Sequence, residues 1–184
     1  VGDLMPHFTA KDAQGKDFDS NSCIGKKPVV VYFYPKDDTR VCTQQACSFR
    51  DQYEDFKALG AEVIGISSDS IRSHQKFSTQ YQLPFILLSD SDKKIRNLFG
   101  VPTNLLGLIP GRVTYVANKD GIVIMVFNSM SGEIHIAKAL EALGFQPEIY
   151  HLNEAHPLPV AFWLLNKFKG DFEEEKKRLI FTTH

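Results

Sequence analysis

The sequence predicts an α/β fold in which a mixed central sheet is covered by helices on both faces, with a β-hairpin at the N-terminal end. Three observations carry this expectation. Short runs of β-branched and aromatic residues at 29–34, 61–67 and 85–88 read as strands buried on both sides. Between them lie stretches in which apolar residues recur at helical spacing. Finally, Asn118-Lys119-Asp120-Gly121 separates apolar runs at 113–117 and 122–128, a strong hairpin signal that adds antiparallel strands to the sheet.

In chain order, His7-Phe8, the turn Asp12-Ala13-Gln14-Gly15 and Phe18 form the first hairpin. Lys26-Lys27-Pro28 leads into Val29-Val30-Val31-Tyr32-Phe33-Tyr34, and Pro35 ends that strand. Over 42–59, Cys42, Ala46, Phe49, Tyr53 and Phe56 make one apolar stripe, with Arg50, Asp51, Glu54 and Lys57 off it and Gly60 as terminator. After the strand at 61–67, Ser68-Asp69-Ser70 caps a helix whose inner side carries Ile71, His74, Phe77 and Tyr81, and Pro84 breaks it. A short helix at 93–99 and a last amphipathic helix at 132–143 complete the order.

The 184 residues are 43% hydrophobic and 23% charged, enough apolar material for a core without metal or disulfide staples. The net charge of −1 is spread along the chain, which argues against a nucleic-acid-binding face. No apolar run approaches the roughly 20 residues that span a bilayer; the longest, 158–165, contains Pro159. No signal peptide is visible, and the chain begins at Val1 rather than Met, which leaves room for a targeting segment before it. Composition changes after Gln146, where Pro147, Pro157 and Pro159 punctuate the chain. The expected organisation is therefore a domain at 1–146 and a partly helical extension at 147–184, too small to bury its own core. In the extension, Glu173–Lys177 and Glu174–Arg178 are favourable pairs on a helix at 171–181. Phe162, Trp163, Leu164 and Leu165 either pack on their own domain or dock it on a protein complex or membrane surface.

The informative stretch runs from Pro35 to Cys47, after a buried strand and into a helix. Active sites of open α/β sheets form outside the carboxyl ends of strands. A thiol at a helix N-terminus meets unpaired amides and the positive end of the dipole, which favour the nucleophilic thiolate. Cys42 and Cys47 lie five positions apart. In a wound helix that places their Cα atoms roughly 8–9 Å apart, beyond the ~7 Å a disulfide spans. If they join, the first turns must unfold. From pattern alone, a reactive pair and two core residues both remain open. Cys23 reads as a packed thiol. His151, Glu154 and His156 match no metal-ligand spacing, and Ser67-Ser68-Asp69 and Ser89-Asp90 read as helix-entry loops rather than parts of a hydrolase triad.

Pro35-x3-Thr39-x2-Cys42 resembles the active-site signature of the peroxiredoxins. The wider run Phe33-Tyr34-Pro35-Lys36-Asp37, Cys42-Thr43, Ala46-Cys47 and Phe49-Arg50-Asp51 is similar to the peroxiredoxin Q group, also called bacterioferritin comigratory protein. So are Leu83-Pro84-Phe85, Leu88-Ser89-Asp90 and Pro110-Gly111-Arg112-x-Thr114-Tyr115-Val116. The resemblance covers about residues 2–145 and implies a thioredoxin-like fold, usually monomeric, and a thiol peroxidase acting on hydrogen peroxide and organic hydroperoxides. On this resemblance Cys42 is the peroxidatic and Cys47 the resolving cysteine, Thr39 and Arg112 are the active-site threonine and arginine, and Pro35 shields the site. A thioredoxin-like donor is the implied reductant, with no metal or organic cofactor. The stretch 106–112 is similar to plant and algal members and favours a plastid, the bacterial cytoplasm being the alternative. Two departures stand out: Arg40-Val41 where Pro-Gly is usual, and Gln45 where Glu is common. A second reading is a weakly active peroxiredoxin-like subunit recruited to a larger assembly through its tail. A thiol-disulfide oxidoreductase is disfavoured by the Cys-x4-Cys spacing.

Overall fold

In the computed structural model, which describes residues 1–104, 109–145, 150–153 and 179–182, the N-terminal hairpin forms from β1 (Thr9–Asp12) and β2 (Asp17–Asp19), joined through Gly15 at φ 79°. A 3₁₀ turn (Ser20–Ser22) then leads to β3 (Val29–Phe33), every residue of which is buried. The alternation of a strand sends Val30, Tyr32 and Tyr34 to one face of the sheet and Val29, Val31 and Phe33 to the other.

The single helix expected over 42–59 is two helices, α1 (Arg40–Asp51) and α2 (Tyr53–Ala58), broken at Gln52, whose backbone lies at φ −105° and ψ 14°. The break lets Phe49 and Phe56 both bury fully, with ring centroids 5.6 Å apart. Next come β4 (Glu62–Ser67), α3 (Ile71–Tyr81), β5 (Ile86–Ser89) and α4 (Lys94–Leu98). Helix α3 has the expected cap: the Ser70 hydroxyl accepts the Ser73 amide at 3.2 Å. Two short strands that the sequence reading lacks, β6 (Thr103–Asn104) and β7 (Ile109–Pro110), pair antiparallel. The hairpin of β8 (Val113–Ala117) and β9 (Val123–Asn128) and helix α5 (Ile134–Ala142) follow.

The seven-stranded sheet has the order β2-β1-β5-β4-β3-β8-β9. Strands β3, β4 and β5 are parallel at its centre, and antiparallel strands flank them on both sides, so the sheet is mixed as expected. Phe49, Phe56, Phe77 and Ile136 from α1, α2, α3 and α5 pack on one face, and Ile95 of α4 packs with Met5 and Phe8 on the other. Helices thus cover both faces, unequally. The chain separates into two compact units, 1–145 and 146–184. In the second, β10 (Tyr150–Asn153) pairs parallel with β11 (Leu179–Thr182). This corrects the end of the helix expected at 171–181: Leu179, Ile180 and Phe181 are strand, as β-branched and aromatic residues favour. The rest of that helix, the apolar run 158–165 with its docking role, and Glu154 and His156 lie outside the described residues.

Gly65 on β4 stands opposite Tyr32 on β3, and a Cβ there would come within 2.6 Å of the tyrosine hydroxyl and 2.7 Å of Leu87. The missing side chain makes room for the Tyr32 ring, which stacks on Phe49 at 4.6 Å beneath α1. Gly65→Ala is expected to cost about 1–3 kcal/mol by overpacking, read as a lower denaturation midpoint; an unchanged midpoint would show that the ring can move aside.

Candidate active site

Strand β3 ends at Phe33, and the chain continues through buried Tyr34, half-buried Pro35 and an exposed turn to Thr39, the N-cap of α1. The turn is fixed from below by Asp37. Its carboxylate accepts the Tyr34 hydroxyl (2.7 Å) and the Ser73 hydroxyl (2.7 Å) and meets Nδ1 of fully buried His74 at 2.9 Å. The other ring nitrogen of His74 faces the Leu88 carbonyl at 3.2 Å. The Asp37 amide donates to Asp69 at 2.9 Å. Burial by itself would raise the Asp37 pKa, but His74, Tyr34 and Ser73 outweigh it and hold it below 3.8. The contribution of the Asp37 carboxylate is therefore complete above the ordinary carboxylate value and is lost as pH falls through its lower value in the folded chain.

Helix α1 starts at Arg40, so Cys42 is its third residue. The first intrahelical bond runs from the Thr43 amide to the Thr39 carbonyl (2.8 Å), which leaves the amides of Arg40, Val41 and Cys42 without an intrahelical acceptor. The Thr39 side chain does not cap the helix; its hydroxyl donates to the Lys36 carbonyl at 3.1 Å. No acidic residue stands in the first turn, so the positive end of the helix is not neutralised there.

Against this end lies Arg112 of the turn before β8, 1% exposed. One terminal nitrogen donates to the Cys42 sulfur at 3.2 Å, and the other donates to Oε1 of Gln45. Gly111 brings Arg112 in: its amide donates to the Pro102 carbonyl at 2.8 Å, so close that no Cβ fits. Of the five expected site residues, the fold thus joins Cys42 to Arg112 and places Thr39 at the cap of the same helix. Pro35 is half-buried, two residues past the end of β3. Cys47 is half-buried further along the unbroken α1, and both it and Cys42 are free thiols. Cys23 is 2% exposed, bonds the Ser20 carbonyl through its sulfur at 3.4 Å, and has its pKa raised by burial, as suits a packed thiol.

In the sequence Gln45 stands out only as a departure from the usual Glu, although its position three residues after Cys42 puts it on the same helix face. It is fully buried, and being neutral it holds the guanidinium without cancelling its charge. Its own NH₂ group and Arg112 Nε are buried donors with no hydrogen-bond partner among the described residues. The loop after β9 closes the other side. The Ser129 amide donates to the Arg112 carbonyl at 3.2 Å, and His135 takes the Thr114 hydroxyl on Nδ1 (2.8 Å) while Nε2–H donates to the Ser129 carbonyl (2.9 Å). A cavity of about 210 Å³ between this loop and α1 is lined by Val41, Gln44 and residues 130–133.

A family model described as AhpC/TSA matches residues 1–126. The chain belongs to the AhpC/TSA family of peroxiredoxins. It is 52% identical over 143 residues to "Peroxiredoxin Q, chloroplastic" of Sedum lineare, covering 77% of this chain and 76% of that protein. The protein of the same name from Populus jackii is also 52% identical over 143 residues, with 77% and 67% covered. The solved structure of peroxidoxin BcpB from Mycobacterium tuberculosis superposes with a TM-score of 0.73 at 34% identity, over 80% of this chain and 98% of that one. This peroxiredoxin is of the Q group and is a thiol-dependent peroxidase with a thioredoxin-like fold.

Two outcomes test the geometry. Gln45→Leu removes the side-chain oxygen that accepts from Arg112 and leaves a buried guanidinium nitrogen without that partner; the rate of peroxide consumption should fall roughly tenfold or more, and an unchanged rate in a stopped-flow assay would show that Gln45 does not position Arg112. His135 has its pKa lowered to about 4 from 6.5, first by burial and further by the charge of Arg112, against the bond to Ser129. The unfolded chain takes up that proton near pH 6.5 and the folded chain only near 4. Its contribution is therefore complete above pH 6.5 and declines as pH falls toward 4, by at most about 1.4 kcal/mol per pH unit. Denaturation midpoints at pH 7 and pH 5 should differ less in His135→Gln than in the wild type.

Proposed function

We propose that Cys42 is the peroxidatic cysteine and Cys47 the resolving cysteine of a two-cysteine peroxidase cycle. The observation that carries this is the Arg112 guanidinium bonded to the Cys42 sulfur at the uncapped start of α1. A thiolate there is stabilised by a full charge and by free amides, and both remain in place for the charge that develops as the O–O bond breaks.

The sulfur of Cys42 attacks the terminal peroxide oxygen. The O–O bond breaks, water or an alcohol leaves with a proton, and Cys42 becomes a sulfenic acid, oxidised by two electrons. Thr39 has given its hydroxyl hydrogen to Lys36, so its lone pairs can only accept, which suits the proton of a hydroperoxide. Pro35 covers the turn against water. The Cys47 sulfur then attacks the sulfenic sulfur; the S–O bond breaks, water leaves, and a disulfide forms. Because both cysteines lie in one wound helix, roughly 8–9 Å apart at Cα, the first turns of α1 unwind in this step. A thioredoxin-like dithiol reverses the oxidation by thiol–disulfide exchange. Hydrogen peroxide and organic hydroperoxides are the substrates, and the cavity of about 210 Å³ beside Val41 offers space for an organic substituent. The chloroplastic relatives support a plastid as the compartment.

With a thioredoxin system, Cys42→Ser is expected to consume no peroxide above background. Cys47→Ser should reduce one equivalent, stall, and over-oxidise at Cys42 on further peroxide. Amide exchange across 40–48 should rise in the oxidised wild type. Peroxide turnover by Cys42→Ser would refute the assignment, and unaltered exchange on oxidation would refute the unwinding step.

A further inference from the structure

Tyr81, the last residue of α3, touches the chain on both sides of the two cysteines. Its hydroxyl donates to the Asp38 carboxylate at 2.8 Å, four residues before Cys42. Its carbonyl accepts from the Arg50 guanidinium at 2.9 Å, three residues after Cys47. The Tyr81 ring is itself held edge-on to Phe77, 5.2 Å between centroids, and Phe77 is 2% exposed in the core. Asp38 is one of three non-glycine residues in the left-handed region among those described, at φ 54°. That conformation costs an L-residue free energy, and the Tyr81 hydroxyl bonds the side chain of the residue that adopts it.

We propose that Tyr81 is a positioning residue that fastens both ends of the cysteine-bearing segment and so limits how fast the disulfide closes once Cys42 is oxidised; the proposal rests on the Cys42–Cys47 cycle above. The reasoning is geometric. The segment between the two attachments contains the turns of α1 that must come apart. Neither attachment touches Cys42, Arg112 or Gln45, so the attack on peroxide does not use them. The wound helix presents Cys42 to peroxide, whereas the unwound one brings the sulfurs together. Held at both ends, the segment has less freedom to bring the sulfurs together, which slows the second step and spares the first. A longer-lived sulfenic acid in turn has more time to meet a second peroxide and pass to the sulfinic state.

The test uses the full chain as wild type, Tyr81→Phe and Arg50→Met. Tyr81→Phe removes the bond to Asp38 and keeps the ring on Phe77; Arg50→Met removes the other attachment. Oxidation of Cys42 by one equivalent of hydrogen peroxide is followed by stopped flow, and disulfide formation by acid quench, alkylation and mass spectrometry. Both variants should oxidise at the wild-type rate. Their disulfide should form about two- to tenfold faster, the range expected for losing one hydrogen bond, and a smaller fraction should reach the sulfinic state in excess peroxide. Equal disulfide rates in the wild type and both variants overturn the proposal while leaving the two-cysteine cycle intact. A parallel fall in both steps also overturns it, since that marks general destabilisation. If the wild type forms no Cys42–Cys47 disulfide, the cycle itself fails, and the proposal with it.

Discussion

The bond from Arg112 to the Cys42 sulfur joins positions 70 residues apart in the chain, and the rest of the site is arranged around it. It requires that β8 lie beside β3 in the sheet, so that the turn entering β8 reaches the helix leaving β3. It requires Gly111, because the chain passes too close to the Pro102 carbonyl for a side chain. It also requires an acceptor for the second terminal nitrogen of the guanidinium, and the side-chain oxygen of Gln45 supplies it. Burying an arginine is costly unless its donors find acceptors, and here one of the acceptors is the sulfur proposed as the nucleophile.

Helix α1 contrasts with α3 in how it begins. Helix α3 is capped by Ser70, and the Asp37–His74 contact and the Ser73 hydroxyl tie its first turn to the chain. Helix α1 has no side-chain cap, no acidic residue in its first turn, and exposed Arg40 and Val41 at its first two positions. Each of these weakens a helix start. The same omissions leave the amides and the dipole available to Cys42 and lower the cost of unwinding. One physical choice would therefore serve both steps of the proposed cycle, which pull in opposite directions, and the Tyr81 contacts to Asp38 and Arg50 hold the segment from outside the helix.

Much of this was legible in the sequence because it is written in local pattern. The buried strands declare themselves as apolar runs, the 118–121 turn as a hairpin, and Cys42 by its place between a strand and a helix. The resemblance supplied Arg112 and Thr39, which spacing could not. What escaped depends on pairs far apart in the chain. His74 reads as one more inward residue of α3 until Asp37 is seen beside it, and the contact of Tyr81 with Asp38 spans 43 positions. The break at Gln52 escaped because the apolar stripe continues through it without a glycine or proline. At 171–181 the charge pairs suggested a helix, but Leu179, Ile180 and Phe181 belong to a strand.

The ring stack under α1 has one more consequence. Tyr34, Tyr32 and Phe49 lie face to face, with centroids 5.5 and 4.6 Å apart, and Phe49 is fully buried only two residues past Cys47. A peptide that comes loose from its free end keeps coming loose until something heavy stops it. Phe49 is that stop: withdrawing it would open a hole in the aromatic floor, a loss of several kcal/mol. The motion that the proposed disulfide step calls for is thereby confined to a short stretch with one end fixed. It is a hinge of set radius rather than a melting helix, and its rewinding starts from a turn that never left its place.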